Sequence, residues 1–146
     1  DFKIVCFGGG KFNKEKLNLF KKLNLDINGI IQINGDDNQL LYLYKKASAF
    51  IFPSIIEGLG LPPLEAMSQG CPVISSNHSA ILEGVGDAAE IFDPIQIEDI
   101  MQKIEKVLYD KTYTKTLIKK GIERSRLFSW KRCANETLDI YKKNLI

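Results

Sequence analysis

A chain of 146 residues, 45% hydrophobic and 26% charged, is long enough to enclose one core and has the composition of an ordinary globular protein. Its 20 basic and 18 acidic residues leave a formal net charge of +2, a near-balance that excludes a dedicated nucleic-acid binder with its basic charge massed on one face. No apolar run approaches the length of a membrane span, and the first residues do not read as a signal peptide.

Phe2 to Phe7 is a short apolar run ending in Gly8-Gly9-Gly10, the pattern of a buried strand followed by a tight turn. Because residue 1 is an aspartate and a strand follows at once, the chain reads as a piece of a longer protein. Leu17, Phe20 and Leu23 then recur at helical spacing on a Lys-rich segment. Ile27 to Ile33 contains a second strand, closed by Asn34-Gly35. Leu40, Leu43, Tyr44 and Ala47 give a second helix, with Asp36 or Asp37 near its start. Ala49 to Phe52 is a third strand, ended by Pro53-Ser54. A helix opens at Pro62-Pro63 and stops at Gly70. Pro72 to Ser75 is a fourth strand, Ala80 to Gly84 a short helical turn, and Ala89 to Phe92 a fifth strand ended by Asp93-Pro94.

The remainder is helical, with three apolar stripes: Ile97, Ile100, Met101, Ile104 and Leu108; Leu117, Ile118 and Ile122; and, after a break at Phe128-Ser129, Trp130, Ala134, Leu138 and Tyr141. Leu145 and Ile146 extend the third stripe, and its distal part is expected to lack cover within this chain. Strands alternating with helices predict an α/β fold with a doubly wound, Rossmann-like parallel sheet, in one domain spanning 1–146.

Cys6, Cys71 and Cys133 are odd in number, far apart and without metal-ligand spacing, so buried, reduced, cytoplasmic thiols are expected and a metal site is not. Lys115, Lys119, Lys120, Arg124, Arg126, Lys131 and Arg132 crowd the last third. Two readings stand for them: solvated helix faces, and weak attraction of a peripheral protein to an anionic membrane surface. His78, the single histidine, falls in a loop and reads as a surface or hydrogen-bonded residue.

One stretch carries chemistry: Ser54-Ile55-Ile56-Glu57-Gly58-Leu59-Gly60-Leu61-Pro62-Pro63-Leu64-Glu65-Ala66. It leaves a strand and enters a helix, so it lies at the carboxyl end of the sheet, where open α/β folds bind ligands. Gly58 and Gly60 allow close backbone approach, and the amides of Gly58, Leu59, Gly60 and Leu61 are candidates to face an anion at a helix start. The plainer alternative is a Gly/Pro turn joining strand to helix, with Glu65 stabilising the first helical turn. Glu57 and Glu65, separated by seven residues, bracket the glycines. Two carboxylates would repel a phosphate, but as acceptors they suit hydroxyls, so a phosphate between two polyhydroxy groups fits: a nucleotide sugar. A glycosidase-like acid/base pair is the other chemistry such carboxylates support, but it leaves the glycine segment unused.

Glu57 through Glu65 resembles the Glu-x7-Glu motif of the family 4 retaining glycosyltransferases. The resemblance runs on through Leu43-Tyr44-Lys45-Lys46-Ala47, Phe52-Pro53-Ser54, Pro63-Leu64-Glu65-Ala66-Met67, Gly70-Cys71-Pro72-Val73-Ile74-Ser75, Gly86-Asp87-Ala88-Ala89, Phe92-Asp93-Pro94 and Phe128-Ser129-Trp130. Gly8-Gly9-Gly10-Lys11-Phe12, Gly35-Asp36-Asp37 and Gly70-Cys71-Pro72 look most like the mannosyltransferase B branch. The resemblance implies the C-terminal, donor-binding half of a two-domain GT-B fold, with no structural metal and no cofactor beyond the nucleotide-sugar substrate.

It further implies that Glu57 contacts the donor sugar, as the catalytic glutamate of the motif. The amides from Gly58 to Leu61 would hold the sugar and distal phosphate, Glu65 the ribose, and Gln32, Ile33 and Asn34 would lie against the base. The family's first C-domain strand, its phosphate-binding Arg and Lys, its catalytic histidine and its acceptor domain would all precede residue 1, so the chain alone is expected to be inactive. One departure is internal. Where the family usually has Leu-Pro-Glu-Val, this chain has Ala80-Ile81-Leu82-Glu83-Gly84, which bears on the rigidity of that segment and not on the fold. The function implied is retaining transfer of a hexose, with mannose from GDP-mannose favoured, to a glycan or lipid-linked acceptor in surface polysaccharide synthesis. A nucleotide-sugar epimerase or sugar phosphorylase on the same scaffold, and a non-catalytic nucleotide-sugar-binding module, are the alternatives.

Overall fold

The computed structural model describes residues 2–144. Strands and helices alternate along the chain, and every strand pair is parallel among the described residues. The parallel α/β class is therefore as the periodicity predicts. The chain divides into two compact units, Asp1–Tyr42 and Leu43–Ile146, each with its own sheet.

In the first unit β1 (Ile4–Phe7) pairs with β2 (Ile30–Ile33), from Ile4 opposite Ile30 to Phe7 opposite Ile33. β1 was expected to be buried, but Ile4 and Val5 are exposed: a two-stranded sheet in this unit leaves much of their apolar surface uncovered. Gly8, Gly9 and Gly10 all have φ between +73° and +79°, a run of left-handed residues that side chains would strain. α1 (Lys14–Lys22) begins where the Asn13 side chain accepts from the Lys16 amide at 2.9 Å. Leu17 and Phe20 are its partly covered face, and Phe20 meets Phe12 edge-to-face; Leu23 lies just past the helix end and is exposed. The strand expected within 27–33 occupies its last four residues. Asp26 accepts from the Asn28 amide and winds Ile27–Gly29 into a single 3-10 turn before β2.

α2 (Asp37–Lys46) starts with a reciprocal cap: Asp36 Oδ1 accepts from the Gln39 amide at 2.9 Å, and Gln39 Oε1 from the Asp36 amide at 3.1 Å. The cap therefore resolves Asp36 rather than Asp37 as the residue before the helix.

The second unit is built on β3 (Phe50–Phe52), β4 (Val73–Ser76) and β5 (Ala89–Phe92), in spatial order β3-β4-β5. β4 is central and buried along its whole length. Ile74 and Phe92 point to one face, where Val107 of α5 (Ile97–Tyr109) and Leu117 of α6 (Lys111–Ser125) close a core. The α5 stripe turns out rotated from the expected one. Ile100, Ile104, Val107 and Leu108 face the protein, while Ile97 and Met101 are exposed. α3 (Leu61–Ser68) packs on α6, where a Cβ on Gly121 would come within 3.1 Å of the Met67 side chain.

Glu90 shares the core face with Ile74 and Phe92, yet is only 5% exposed. Lys103 reaches one of its oxygens at 3.0 Å and Lys106 the other at 2.9 Å, and the Tyr113 hydroxyl donates to the second. Burial works to raise its pKa, but the Tyr113 hydrogen bond and the two lysines outweigh it, and the carboxyl stays below its ordinary value of 4.5. Burial, then Glu90, raises the Tyr113 hydroxyl in turn.

α7 (Trp130–Asn144) differs from the other helices of this unit, for none of its residues is buried. Trp130 is 78% and Tyr141 62% exposed, so the third stripe lacks cover from its first turn and not only at its distal part. Leu145 and Ile146 lie outside the described residues. Cys133 is accordingly exposed on α7 and not buried as expected, whereas Cys71 is buried, Cys6 half-buried, and all three are free thiols.

Two outcomes follow. Glu90→Gln should lower stability by about 1–3 kcal/mol near neutral pH, through loss of charge-assisted hydrogen bonds. The native carboxylate's contribution is present above the unfolded glutamate pKa and is lost as pH falls through the lower folded value, so the variant's deficit should shrink in acid. Unfolding midpoints measured from neutral to acidic pH check both statements. In hydrogen exchange on the 146-residue chain, α7 amides should exchange faster than those of α6; equal protection would show that α7 has found cover.

Candidate functional site

β3 ends at Phe52 and β4 runs parallel beside it, with Phe52 opposite Ser75, so both strands deliver their carboxyl ends to the same edge. The chain leaves β3 through Pro53 and stays irregular until α3 begins at Leu61, one residue before the predicted start at Pro62. This irregular segment is anchored at its root. The Ser76 hydroxyl, at the end of β4, donates to the Ser54 carbonyl, and the Ser54 hydroxyl donates to the Ile56 carbonyl at 3.2 Å. Its far end is fixed by Gly60, which caps α3 in the left-handed region at φ 74°, a conformation that a side chain would strain. Pro62 and Pro63 follow in the first turn, where their missing N–H groups leave no hydrogen bond unmade.

Between these anchors Glu57 and Leu59 are half-buried, Gly58 exposed and Gly60 buried; Leu61 is exposed at the helix start. Outside the regular elements, no backbone hydrogen bond among the described residues is donated by Gly58, Leu59 or Gly60. Leu61, as the first helical residue, has no partner one turn back within α3. Glu65 is exposed, one turn into α3. It is not in the first turn, so the plainer account in which it stabilises the helix start loses its geometric basis. No ion pair among the described residues engages Glu57 or Glu65. The segment thus presents unused amides and two uncommitted carboxylates at the carboxyl edge of a parallel sheet.

Gln32, Ile33 and Asn34 belong to the first unit, at the end of β2. Gln32 and Ile33 are half-buried and Asn34 is exposed. The Gln32 side-chain amide donates to the Gly8 carbonyl, beside the backbone bond from the Gly8 amide to the Ile33 carbonyl at 2.9 Å. The end of β2 is therefore held to the triglycine turn.

Several residues that sequence periodicity assigned to packing or loops bear on the segment. Tyr44, read as one member of a helix stripe, is buried against Phe50; burial first, and then the Glu65 carboxylate, push its hydroxyl up to about 12. Burial likewise pushes the Cys71 thiol up to about 12, which keeps it neutral and unreactive. His78, expected as a surface or hydrogen-bonded residue, precedes α4 (Ser79–Val85) and is half-buried, with an Nδ1 that is enclosed and has no hydrogen-bond partner among the described residues. Ser75 Oγ is enclosed in the same way. The signal that could have drawn attention to this edge is Ser75-Ser76 itself, two hydroxyls ending a strand that is otherwise apolar. Gly84, expected in a loosened turn, lies inside α4 and is buried, because α4 extends one residue further each way than the predicted turn. Among the described residues no cluster of His, Cys, Asp or Glu could hold a metal ion, and no helix is long and apolar enough to cross a membrane.

The family model for the group 1 glycosyl transferases matches residues 1–124. The O-antigen chain mannosyltransferase B of Escherichia coli is 41% identical over 106 residues, 73% of this chain and 28% of that protein. A serotype-specific mannosyltransferase of Escherichia coli is 36% identical over 109 residues, 75% of this chain and 13% of that protein. The chain therefore spans well under a third of the length of these relatives. Among solved structures, a sucrose-phosphate synthase from Thermosynechococcus elongatus superposes on 98% of this chain and 38% of its own with a TM-score of 0.83; at 24% identity that likeness concerns the fold. The residues matched by the family model include the whole anchored segment with its two glutamates, and on that match the chain belongs to the group 1 glycosyl transferases.

Proposed function

We propose that the full-length protein carrying this chain transfers a hexose, with retention, from a nucleotide-sugar donor to a glycan or lipid-linked acceptor, and that this chain supplies the donor site. The observation that carries the reading is the anchored segment from Glu57 to Glu65: among the described residues the amides of Gly58, Leu59 and Gly60 have no backbone acceptor outside the regular elements, and neither glutamate is in an ion pair. Mannose from GDP-mannose is the donor we favour. Support comes from the two mannosyltransferase relatives, and the first of them, which acts on an O-antigen chain, supports surface polysaccharide synthesis as the setting. The reading suits a cytoplasmic protein, and an acceptor held in the membrane would draw it to the inner face.

The chemistry follows from charge. As the glycosidic bond breaks, negative charge grows on the departing nucleoside diphosphate. Amides fixed at a helix start, directed at an anion, stabilise that charge without reorganising. The amides of Gly58, Leu59, Gly60 and Leu61 take the distal phosphate and the sugar in this scheme. Glu57 accepts hydroxyl hydrogens from the sugar and holds it in line for departure, while Glu65 accepts from the ribose. Gln32, Ile33 and Asn34 are assigned to the base on the family resemblance.

Substitution separates the two glutamates. Glu57→Ala in the full-length protein should depress kcat sharply with a smaller change in KM, because orientation of the sugar matters most in the transition state. Glu65→Ala should mainly weaken donor affinity, by about 1–3 kcal/mol for a lost hydrogen bond to a charged group. Steady-state kinetics, with titration of GDP-, UDP- and ADP-sugars and detection of released nucleoside diphosphate, decides the matter. Wild-type kinetics in both variants would remove the proposed ligand roles.

A further inference from the structure

The glycine segment does not hold its shape alone. Two residues of α4 face it: Ile81, fully buried, stands against Gly60, and Gly84 stands against Leu59. A Cβ on Gly84 would lie 2.6 Å from the Leu59 carbonyl oxygen, a separation at which carbon and oxygen repel strongly. Only glycine permits this approach, and the atom it meets is backbone, which cannot swing aside as a side chain end can.

The contact has a directional consequence. The Leu59 carbonyl and the Gly60 N–H belong to one planar trans peptide, so they point in opposite directions. A carbonyl seated against Gly84 therefore turns the Gly60 N–H away from α4. Displacing the carbonyl tilts the whole peptide plane and the N–H with it. α4 cannot yield instead, because its last turn is tied down. Arg124 of α6 donates from Nε to the Gly84 carbonyl at 2.9 Å and from Nη2 to the Glu83 carbonyl at 2.5 Å, and the Gly86 amide bonds the Leu82 carbonyl at 2.9 Å. The Arg124 guanidinium is itself placed over the Phe128 ring, 5.2 Å from its centre. Gly86, at φ 57°, leaves room for it, since a Cβ there would stand 3.3 Å from the guanidinium carbon.

We propose that Gly84 and Arg124 are positioning residues for the donor diphosphate: Arg124 pins the end of α4, and Gly84 seats the Leu59 carbonyl so that the Gly60 N–H faces the distal phosphate. The proposal rests on the donor-site reading above and assigns it two residues outside the glutamate motif.

The test compares GDP with GMP, which lacks the distal phosphate, by calorimetric titration of the full-length protein and its variants. Gly84→Ala should weaken GDP about 10- to 100-fold, the effect of one or two lost hydrogen bonds to a charged group, and leave GMP affinity unchanged. Arg124→Lys keeps the cation but cannot bridge both carbonyls, and should weaken GDP in the same selective way to a smaller degree. Glu90→Gln serves as a destabilised control whose GDP affinity stays at the wild-type level. If Gly84→Ala does not fold, Arg124→Lys decides alone. Equal loss for GDP and GMP, or no loss for GDP, overturns the proposal. A wild-type protein that binds none of GDP, UDP and ADP overturns the donor-site reading first; UDP with UMP, or ADP with AMP, replaces the guanine pair if the wild type prefers it.

Discussion

Val73–Ser76 has a parallel strand on each edge and protein on each face, so its side chains are confined on every side. Such a strand is ordinarily a continuous apolar run, and Val73 and Ile74 obey that rule. Ser75 and Ser76 break it where the strand reaches the carboxyl edge of the sheet. The Ser76 hydroxyl donates to the Ser54 carbonyl, and by that bond the strand fixes where the Glu57–Glu65 segment leaves the sheet. The root of the Glu57–Glu65 segment is thus a by-product of polar satisfaction in the core. Had β4 been apolar to its end, nothing among these contacts would hold Ser54 to the sheet.

How much of this was legible in advance depended on the range of each interaction. The left-handed Gly60, the prolines of α3 and the positions of the strands are local matters, and glycine, proline and apolar runs announce them. The glutamate spacing was equally plain. What could not be read were contacts between elements distant in the chain: Arg124 closing α4 from 40 residues away, Gly121 admitting Met67, and Lys103, Lys106 and Tyr113 gathering on Glu90. A charged residue in the middle of Ala89–Phe92 argues locally against a core position. Only the lysines one helix later make it tolerable, and periodicity does not carry that information. The rotated α5 stripe has the same origin, since a helix with apolar residues on more than one face is oriented by its neighbours and not by its own sequence.

The glycine segment also shows an asymmetry in how its peptide groups are used. Three of its carbonyls are engaged with protein, Ser54 and Ile56 by hydroxyls and Leu59 by close packing on α4. Among the described residues, the N–H groups from Gly58 to Gly60 have no backbone partner outside the regular elements. In a planar peptide, committing the carbonyl orients the amide, so the inner side of the segment decides what its outer side offers. Unpaired amides beside a helix start attract an anion, and unpaired carboxylates at Glu57 and Glu65 repel one. The donor we propose answers both, with its charge in the middle and hydroxyls toward the glutamates.

α7 obeys none of these constraints. Its order comes from local terms: the Ser129 hydroxyl accepts from the Arg132 amide at 3.1 Å, and Arg132 pairs with Glu136 one turn on at 2.7 Å. A cap contributes about 1 kcal/mol and an exposed pair a few tenths, which together are small beside the cost of ordering the backbone of a helix this long. Helices in proteins draw most of their stability from an apolar face that is covered. α7 has such a face in Trp130, Leu138 and Tyr141, and leaves it open to water. The stripe that would stabilise the helix best is therefore the one its own chain does not use.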